Sequence, residues 1–177
     1  MRRNKVLAPV FILFALWGQV NPGQAQEHPT VRFLNPPTLP KANGYSHVAA
    51  VPPGNSMVYL AGQVALDSAG RLVGPHDFRA QALQVFENLR RALDAAGATF
   101  CQVVKLNYYV RDLSEIPVLR EVRDRYVNKA APPVSTLVEV KGLFRDDVLL
   151  EVEAIAFVPT NTQSRSTDPG CPLASVQ

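Results

Sequence analysis

Two cysteines and three histidines are all that this 177-residue sequence offers a metal or a thiol mechanism, and none stands at a useful spacing. His28, His47 and His76 lie far apart, with no second ligand at metal-binding distance along the chain. Neither Cys101 nor Cys171 has a histidine close by, so a thiol nucleophile is not indicated. A G-x-S-x-G elbow is missing, and the adjacent pair Ser46-His47 does not place a nucleophile and base as a triad requires. Phosphate-cradling loops of the G-x-x-x-x-G-K and G-x-G-x-x-G types are missing too. No cofactor and no metal are therefore expected, and His47 is expected to be a structural histidine. An excess of one charge is also lacking. The net charge of +3 comes from 18 basic and 15 acidic residues. Arg2, Arg3 and Lys5 account for all of it, leaving 15 against 15. The basic pI is thus no argument for nucleic acid.

The longest apolar run, Val6 to Val20, falls short of the ~20 residues of a membrane span. Its basic start and the small residues of Gly23-Gln24-Ala25 predict a secretory signal over residues 1–25. The mature chain is then expected to begin near Gln26, in the periplasm or outside the cell, with no membrane attachment after cleavage. That compartment permits a disulfide. The sequence leaves open whether Cys101 and Cys171 form one, since it cannot place their Cα atoms.

Residues 26–158 read as one domain, followed by a polar tail over 159–177 that is expected to be disordered. A proline-rich lead-in allows a short strand at Thr30–Phe33. Tyr45–Val51 and Met57–Ala65 read as strands of a hairpin around Pro52-Pro53-Gly54-Asn55. Gly62 lies inside the second strand, where glycine weakens pairing unless backbone or ligand approaches closely. Asp77–Ala96 is the clearest helix, with Phe78, Ala82, Val85, Phe86, Leu89, Leu93 and Ala96 on one face and Gly97 as its stop. Cys101–Val110 reads as a strand. A second helix is predicted from Ser114 as N-cap, with Pro117 in its first turn and Val118, Leu119, Val122 and Tyr126 buried. Two further strands, Pro132–Val140 and Leu149–Phe157, are expected to be neighbours joined by the polar stretch from Lys141 to Asp147.

The order β-β-β-α-β-α-β-β gives an α+β fold with a mixed sheet of about six strands. Two helices can cover only one face of it. A bare apolar sheet face seldom stays exposed, so self-association is expected. In the last strand Leu150, Val152, Ala154 and Ala156 alternate with Glu151, Glu153, Ile155 and Phe157. A carboxylate on such a strand is costly unless it is paired or faces a polar cleft. Glu151 is the candidate functional residue for that reason.

Several segments, in order, resemble one family. They are Asn43-Gly44-Tyr45-Ser46-His47, Tyr59-Leu60-Ala61-Gly62-Gln63-Val64, the helix positions Gln81, Asn88-Leu89, Leu93 and Ala96-Gly97, then Val104-Lys105-Leu106 with Val110-Arg111-Asp112-Leu113. Pro132-Pro133, Val138-Glu139-Val140 and Leu150 to Ala156 complete the set. Over about residues 30–158 the chain is similar to the RidA family (reactive intermediate deaminase, also called YjgF or Rid). The resemblance implies a chorismate-mutase-like fold and a homotrimeric barrel with sheets inward, helices outward and small-molecule clefts between subunits. It implies hydrolysis of enamines and imines to keto acids and ammonia without a metal. An arginine of that family grips the substrate carboxylate, a glutamate positions the attacking water and a tyrosine helps to close the pocket.

Carried over by position, Tyr45 falls on the tyrosine, Gly62 on the strand glycine and Glu151 on the glutamate. The arginine is replaced by Ser135, a cysteine by Leu137, a serine by Ala61 and a second-helix asparagine by Arg120. Loss of a charge-assisted pair costs about 1.5–3 kcal/mol. Arg120 and Arg145 are the candidate substitutes. The expected site is thus Glu151 as the catalytic group, with Tyr45, Gly62, Arg120, Ser135 and Leu137 as binding residues. Three functions follow: a binder of small imines, keto acids or related metabolites with deaminase activity lost or altered, a working imine or enamine deaminase, or an RNA-cleaving protein. The charge balance of the mature chain speaks against the last, and no nucleic-acid partner is expected.

Overall fold

The structure, a computed structural model, describes residues 31–160. The predicted signal over 1–25 and the tail beyond Thr160 lie outside the described residues. In chain order the elements are β1 (Arg32–Leu34), β2 (Val48–Ala50), β3 (Asn55–Gln63), α1 (Phe78–Ala95), β4 (Val103–Val110), α2 (Ile116–Arg123), β5 (Val134–Glu139) and β6 (Leu150–Pro159). This is the expected order, and β6 runs through Pro159. The six strands divide into two sheets. β1 and β2 form an antiparallel pair, and the other four form a mixed sheet in the order β3-β6-β4-β5.

α1 forms where its apolar spacing demands it. Asp77 accepts a hydrogen bond from the Ala80 N–H at 3.0 Å and so caps the start. Gly97, with φ +74°, turns the chain away at the end. Phe78, Ala82, Val85, Phe86, Leu89 and Leu93 are buried. Phe86 stacks on Tyr126 and Phe100 at centroid distances of 5.1 and 5.9 Å. Leu119 and Val122 of α2 join the same core, so both helices cover one face of the sheet. β6 alternates as expected, with Leu150, Val152, Ala154 and Ala156 buried and Glu151, Glu153, Ile155 and Phe157 turned to the other side. That side is open. Tyr59 on β3 is 75% exposed there, with Met57 exposed on the same strand and Val138 on β5 at the other edge.

Four expectations are corrected. β5 and β6 are not neighbours, because β4 lies between them: it pairs parallel with β5 and antiparallel with β6. The parallel pair is the product of the α2 crossover, which leaves only the far edge of β4 for β6. The hairpin is not formed either: β2 pairs with β1, and β3 with β6. The turn exists, with Gly54 at φ +83°, but Pro52 and Pro53 carry no N–H for a ladder beside it. Ser114 is not the cap of the second helix. Asp112 accepts from the Ser114 N–H at 2.7 Å and starts a 3₁₀ turn, Leu113–Glu115, that feeds α2. Cys101 sits in another 3₁₀ turn, Phe100–Gln102, and not in β4. It carries no free thiol; Cys171 lies outside the described residues.

The return of the chain to β6 is fixed by one buried polar side chain. Gln81 of α1 is fully buried. Its amide donates to the Gly74 and Asp147 carbonyls at 3.2 and 2.9 Å and accepts from the Leu149 N–H at 2.9 Å. Gln81→Leu leaves all three backbone groups without this partner. We expect a loss of about 2–4 kcal/mol, read by urea denaturation. A change below about 0.5 kcal/mol would show that the amide does not hold this connection.

Candidate functional site

Behind the β5 edge lies a cavity of about 200 Å³. It is lined by Asn43, Gly44, Tyr45, Tyr108, Leu119, Arg120, Arg123, Ser135 and Leu137. The local chain explains why these meet. Ser46 is buried, its N–H donating to the Pro133 carbonyl at 3.2 Å and its hydroxyl to the Pro132 carbonyl at 2.6 Å. This ties the loop before β2 to the start of β5 and brings Tyr45 beside Ser135. His47 packs its ring edge-on to Tyr45 at 5.2 Å and bonds the Pro40 carbonyl at 2.8 Å, a supporting role. Ser135 and Leu137 share the helix-facing side of the sheet with Leu106 and Tyr108, their partners in register.

Arg123 enters the cavity from the end of α2. Its side chain is only 11% exposed. Nη1 donates to the Gly44 carbonyl at 2.9 Å, and Nε and Nη2 donate to one carboxylate oxygen of Asp124 at 2.9 and 2.6 Å. Gly44 has φ +76°, and a Cβ there would come within 2.8 Å of Arg123 Nη2, so both conformation and space call for glycine. Tyr108 is buried and its hydroxyl finds no hydrogen-bond partner. Burial pushes that phenol well above its usual pKa, against the pull of the Arg123 charge.

Glu151 lies elsewhere. It projects from β6 on the open face, opposite Tyr109 of β4. Its side chain lies over Gly62, where a Cβ would overlap the carboxylate. Gly62 falls in the irregular stretch of the β3–β6 ladder between Leu60 and Gln63. Next along β6, Glu153 accepts from Asn107 Nδ2 at 2.5 Å and from the Tyr109 hydroxyl at 3.0 Å. The latter bond holds the Tyr109 phenol above its ordinary pKa.

Of the residues predicted from sequence, Tyr45, Arg120, Ser135 and Leu137 thus line one cavity, while Gly62 and Glu151 meet on the opposite face. Arg145 is not a cavity residue: it pairs with Asp147 at 2.6 Å in the loop before β6. Arg123 and Tyr108 were missed. The signals existed, since Arg123 follows Arg120 by three residues on one helix face and alternation along β4 turns Tyr108 inward. Among the described residues no three His, Cys, Asp or Glu side chains converge to hold a metal.

A small α+β domain with its helices on one sheet face and a paired glycine and glutamate on the other defines the class. The sequence profile of the Endoribonuclease L-PSP family matches residues 37–158, and the chain belongs to that family, the RidA/YjgF group. A RutC family protein from Pyrococcus abyssi is 35% identical over 108 residues, 61% of this chain and 83% of the relative. A 2-iminobutanoate/2-iminopropanoate deaminase from Salmonella typhimurium is 34% identical over 103 residues, 57% and 79% of the two chains. The crystal structure of a Rid family protein of unknown function, YyfB from Yersinia pestis, superposes with a TM-score of 0.67 at 32% identity, covering 72% of this chain and 98% of that one.

Gly62→Ala puts a methyl group where the Glu151 carboxylate now lies. A flexible side chain can yield, so the fold should survive at a cost of about 1 kcal/mol while Glu151 takes another rotamer. A crystal structure of the variant with Glu151 unmoved would refute this contact.

Proposed function

We propose that this chain is an exported RidA-family protein that assembles as a homotrimer and binds a small metabolite, an imine, keto acid or related molecule, in clefts between protomers. The deaminase activity of arginine-bearing relatives is absent or altered in it, because position 135 is serine. The observation that carries this reading is the division of the site. Glu151 and Gly62 belong to the β3–β6 side of the sheet, and Ser135 and Leu137 to β5 at the other edge, facing the opposite way. β4 separates them within one chain, so a second copy is needed to bring a β5 edge to Glu151. The exposed Met57, Tyr59 and Val138 give the open sheet face an apolar surface for that contact.

A second reading is favoured by the retained Glu151–Gly62 pair and by the Salmonella relative's name. In it Glu151 takes a proton from a water that adds to the C=N carbon and passes it to the nitrogen; the resulting carbinolamine gives its hydroxyl proton to that nitrogen as the C–N bond breaks, releasing ammonia and a keto acid. An assay with 2-iminobutanoate generated in solution separates the two. No acceleration supports the first reading, and acceleration that falls by about 10²-fold or more in Glu151→Ala supports the second. Acceleration untouched by Glu151→Ala would overturn both assignments of that residue.

Sedimentation should give a mass of three copies, and Tyr59→Asp should yield monomers. A wild-type monomer at micromolar concentration would remove the cleft. Export is supported by the basic and apolar pattern of residues 1–25, and is tested by fractionation with mass analysis of the mature N-terminus. An intact N-terminus in the cytoplasm would refute it.

A further inference from the structure

The two outward carboxylates of β6 lean to opposite neighbours. Glu151 lies over Gly62 of β3, whereas Glu153 reaches to β4 and accepts from Asn107 Nδ2 and from the Tyr109 hydroxyl through one oxygen, Oε1. In the β4–β6 register Tyr109 stands across from Glu151, and the residue across from Glu153 is Asn107. Side chains opposite one another in an antiparallel pair start about 5 Å apart, and diagonal neighbours about 7–8 Å. The one hydroxyl proton of Tyr109 therefore goes to the diagonal carboxylate and not to the one it faces. That bond is the foremost cause of the raised phenol pKa, and the Glu151 charge is a smaller one, so the proton stays on the phenol with Glu151 close enough to compete for it. Glu151 itself makes no hydrogen bond or ion pair among the described residues. Asn107 shows what decides the choice. It turns its amide nitrogen to Glu153 although this leaves its own carbonyl oxygen buried and unpartnered, a costly state. Two donors meeting one ionised oxygen outweigh that cost.

We propose that Glu153 and Asn107 act as a positioning pair: they hold the Tyr109 hydroxyl away from Glu151 and so leave the Glu151 carboxylate open, over Gly62, for a water. The consequence for catalysis rests on the second, hydrolytic reading above. A general base needs an open lone pair aimed at its water. A carboxylate that already accepts a phenol O–H has one lone pair taken and is drawn toward that donor. The Tyr109 ring, tethered by its hydroxyl, stands on the β4 side of Glu151, and Gly62 leaves room on the β3 side, so the carboxylate has one place to lie. Glu153 thus acts through Tyr109 and need not touch the substrate.

E153L, made in the full-length protein, removes the acceptor and keeps the volume on an open sheet face. Its crystal structure should show the Tyr109 hydroxyl turned to Glu151 and within hydrogen-bond distance of it, about 2.5–3.0 Å. With 2-iminobutanoate as the probe, kcat should fall about tenfold or more with KM little changed. E153L/Y109F has no hydroxyl to turn and should recover most of that loss, which general damage to the sheet would not allow. Should E153L fail to fold, E153A carries the same expectations. A Tyr109 hydroxyl that stays away from Glu151 in the variant crystal overturns the proposal. So does an E153L that keeps its full kcat, or a loss that E153L/Y109F does not recover. A wild type without hydrolysis sinks the hydrolytic reading instead, and the crystal structures alone then decide the positioning.

Discussion

β6 lies between β3 and β4, so its backbone is bonded on both sides and its side chains can point only into the helix layer or out of the open face. The inward set is Leu150, Val152, Ala154 and Ala156, all buried against the α1 side. Fixing these four fixes the other set with them, because a one-residue slip would carry Glu151 and Glu153 into the core at a prohibitive cost. The hydrophobic effect therefore sets the position of the carboxylates. Glu153 is then satisfied by Asn107 and Tyr109 across the strand boundary, and Glu151 lies over the one residue of β3 that has no side chain to obstruct it.

The register of β6 depends in turn on where the strand begins. The Leu149 N–H and the Asp147 carbonyl are both held by Gln81, a polar group kept wholly within the core. Such a group is stable only because each of its hydrogen-bonding atoms finds a backbone partner. The Arg111 N–H meets the Leu149 carbonyl at 3.1 Å and the Val140 N–H meets the Val110 carbonyl at 2.9 Å, so the end of β4 is flanked by the exit of β5 and the entry of β6. Helix, connection and central strand thus share one set of hydrogen bonds.

Periodicity made α1, β4 and the alternation of β6 legible, since each is decided by a face that must be buried. Pairing was less legible. The adjacency rule for consecutive strands misled twice, at Pro132–Val140 with Leu149–Phe157 and at Tyr45–Val51 with Met57–Ala65, because a strand's partner is chosen by crossovers and by tethers far away in sequence. The bond between Ser46 and Pro132-Pro133, 86 residues apart, is such a tether, and no local pattern announces it. The same limit applied to the cavity. Resemblance pointed to Tyr45, Arg120, Ser135 and Leu137, but an arginine at the end of a short helix looks like any surface cation until the loop it reaches is known. The Arg123 side chain is only 11% exposed, with Gly44 lying against its guanidinium.

The separation of Ser135 from Glu151 follows from these constraints. Side chains at Ser135 and Glu151 point to opposite sides of the sheet and two strand positions apart, so a large residue at position 135 would not bring them together within a chain. A change of side chain at position 135 therefore leaves the Glu151 face undisturbed. α2 borders the cavity, and its Glu121 pairs with Arg79 of α1 at 2.6 Å and with Arg125, four residues on in the same segment, at 3.1 Å. Those exposed pairs contribute little stability individually. The buried Leu119 and Val122 set the helix that carries Arg120 and Arg123 against α1, whose own placement is set by the buried stripe that packs on β6. The same apolar alternation that turns Glu151 outward thereby determines where a helix-borne guanidinium can stand.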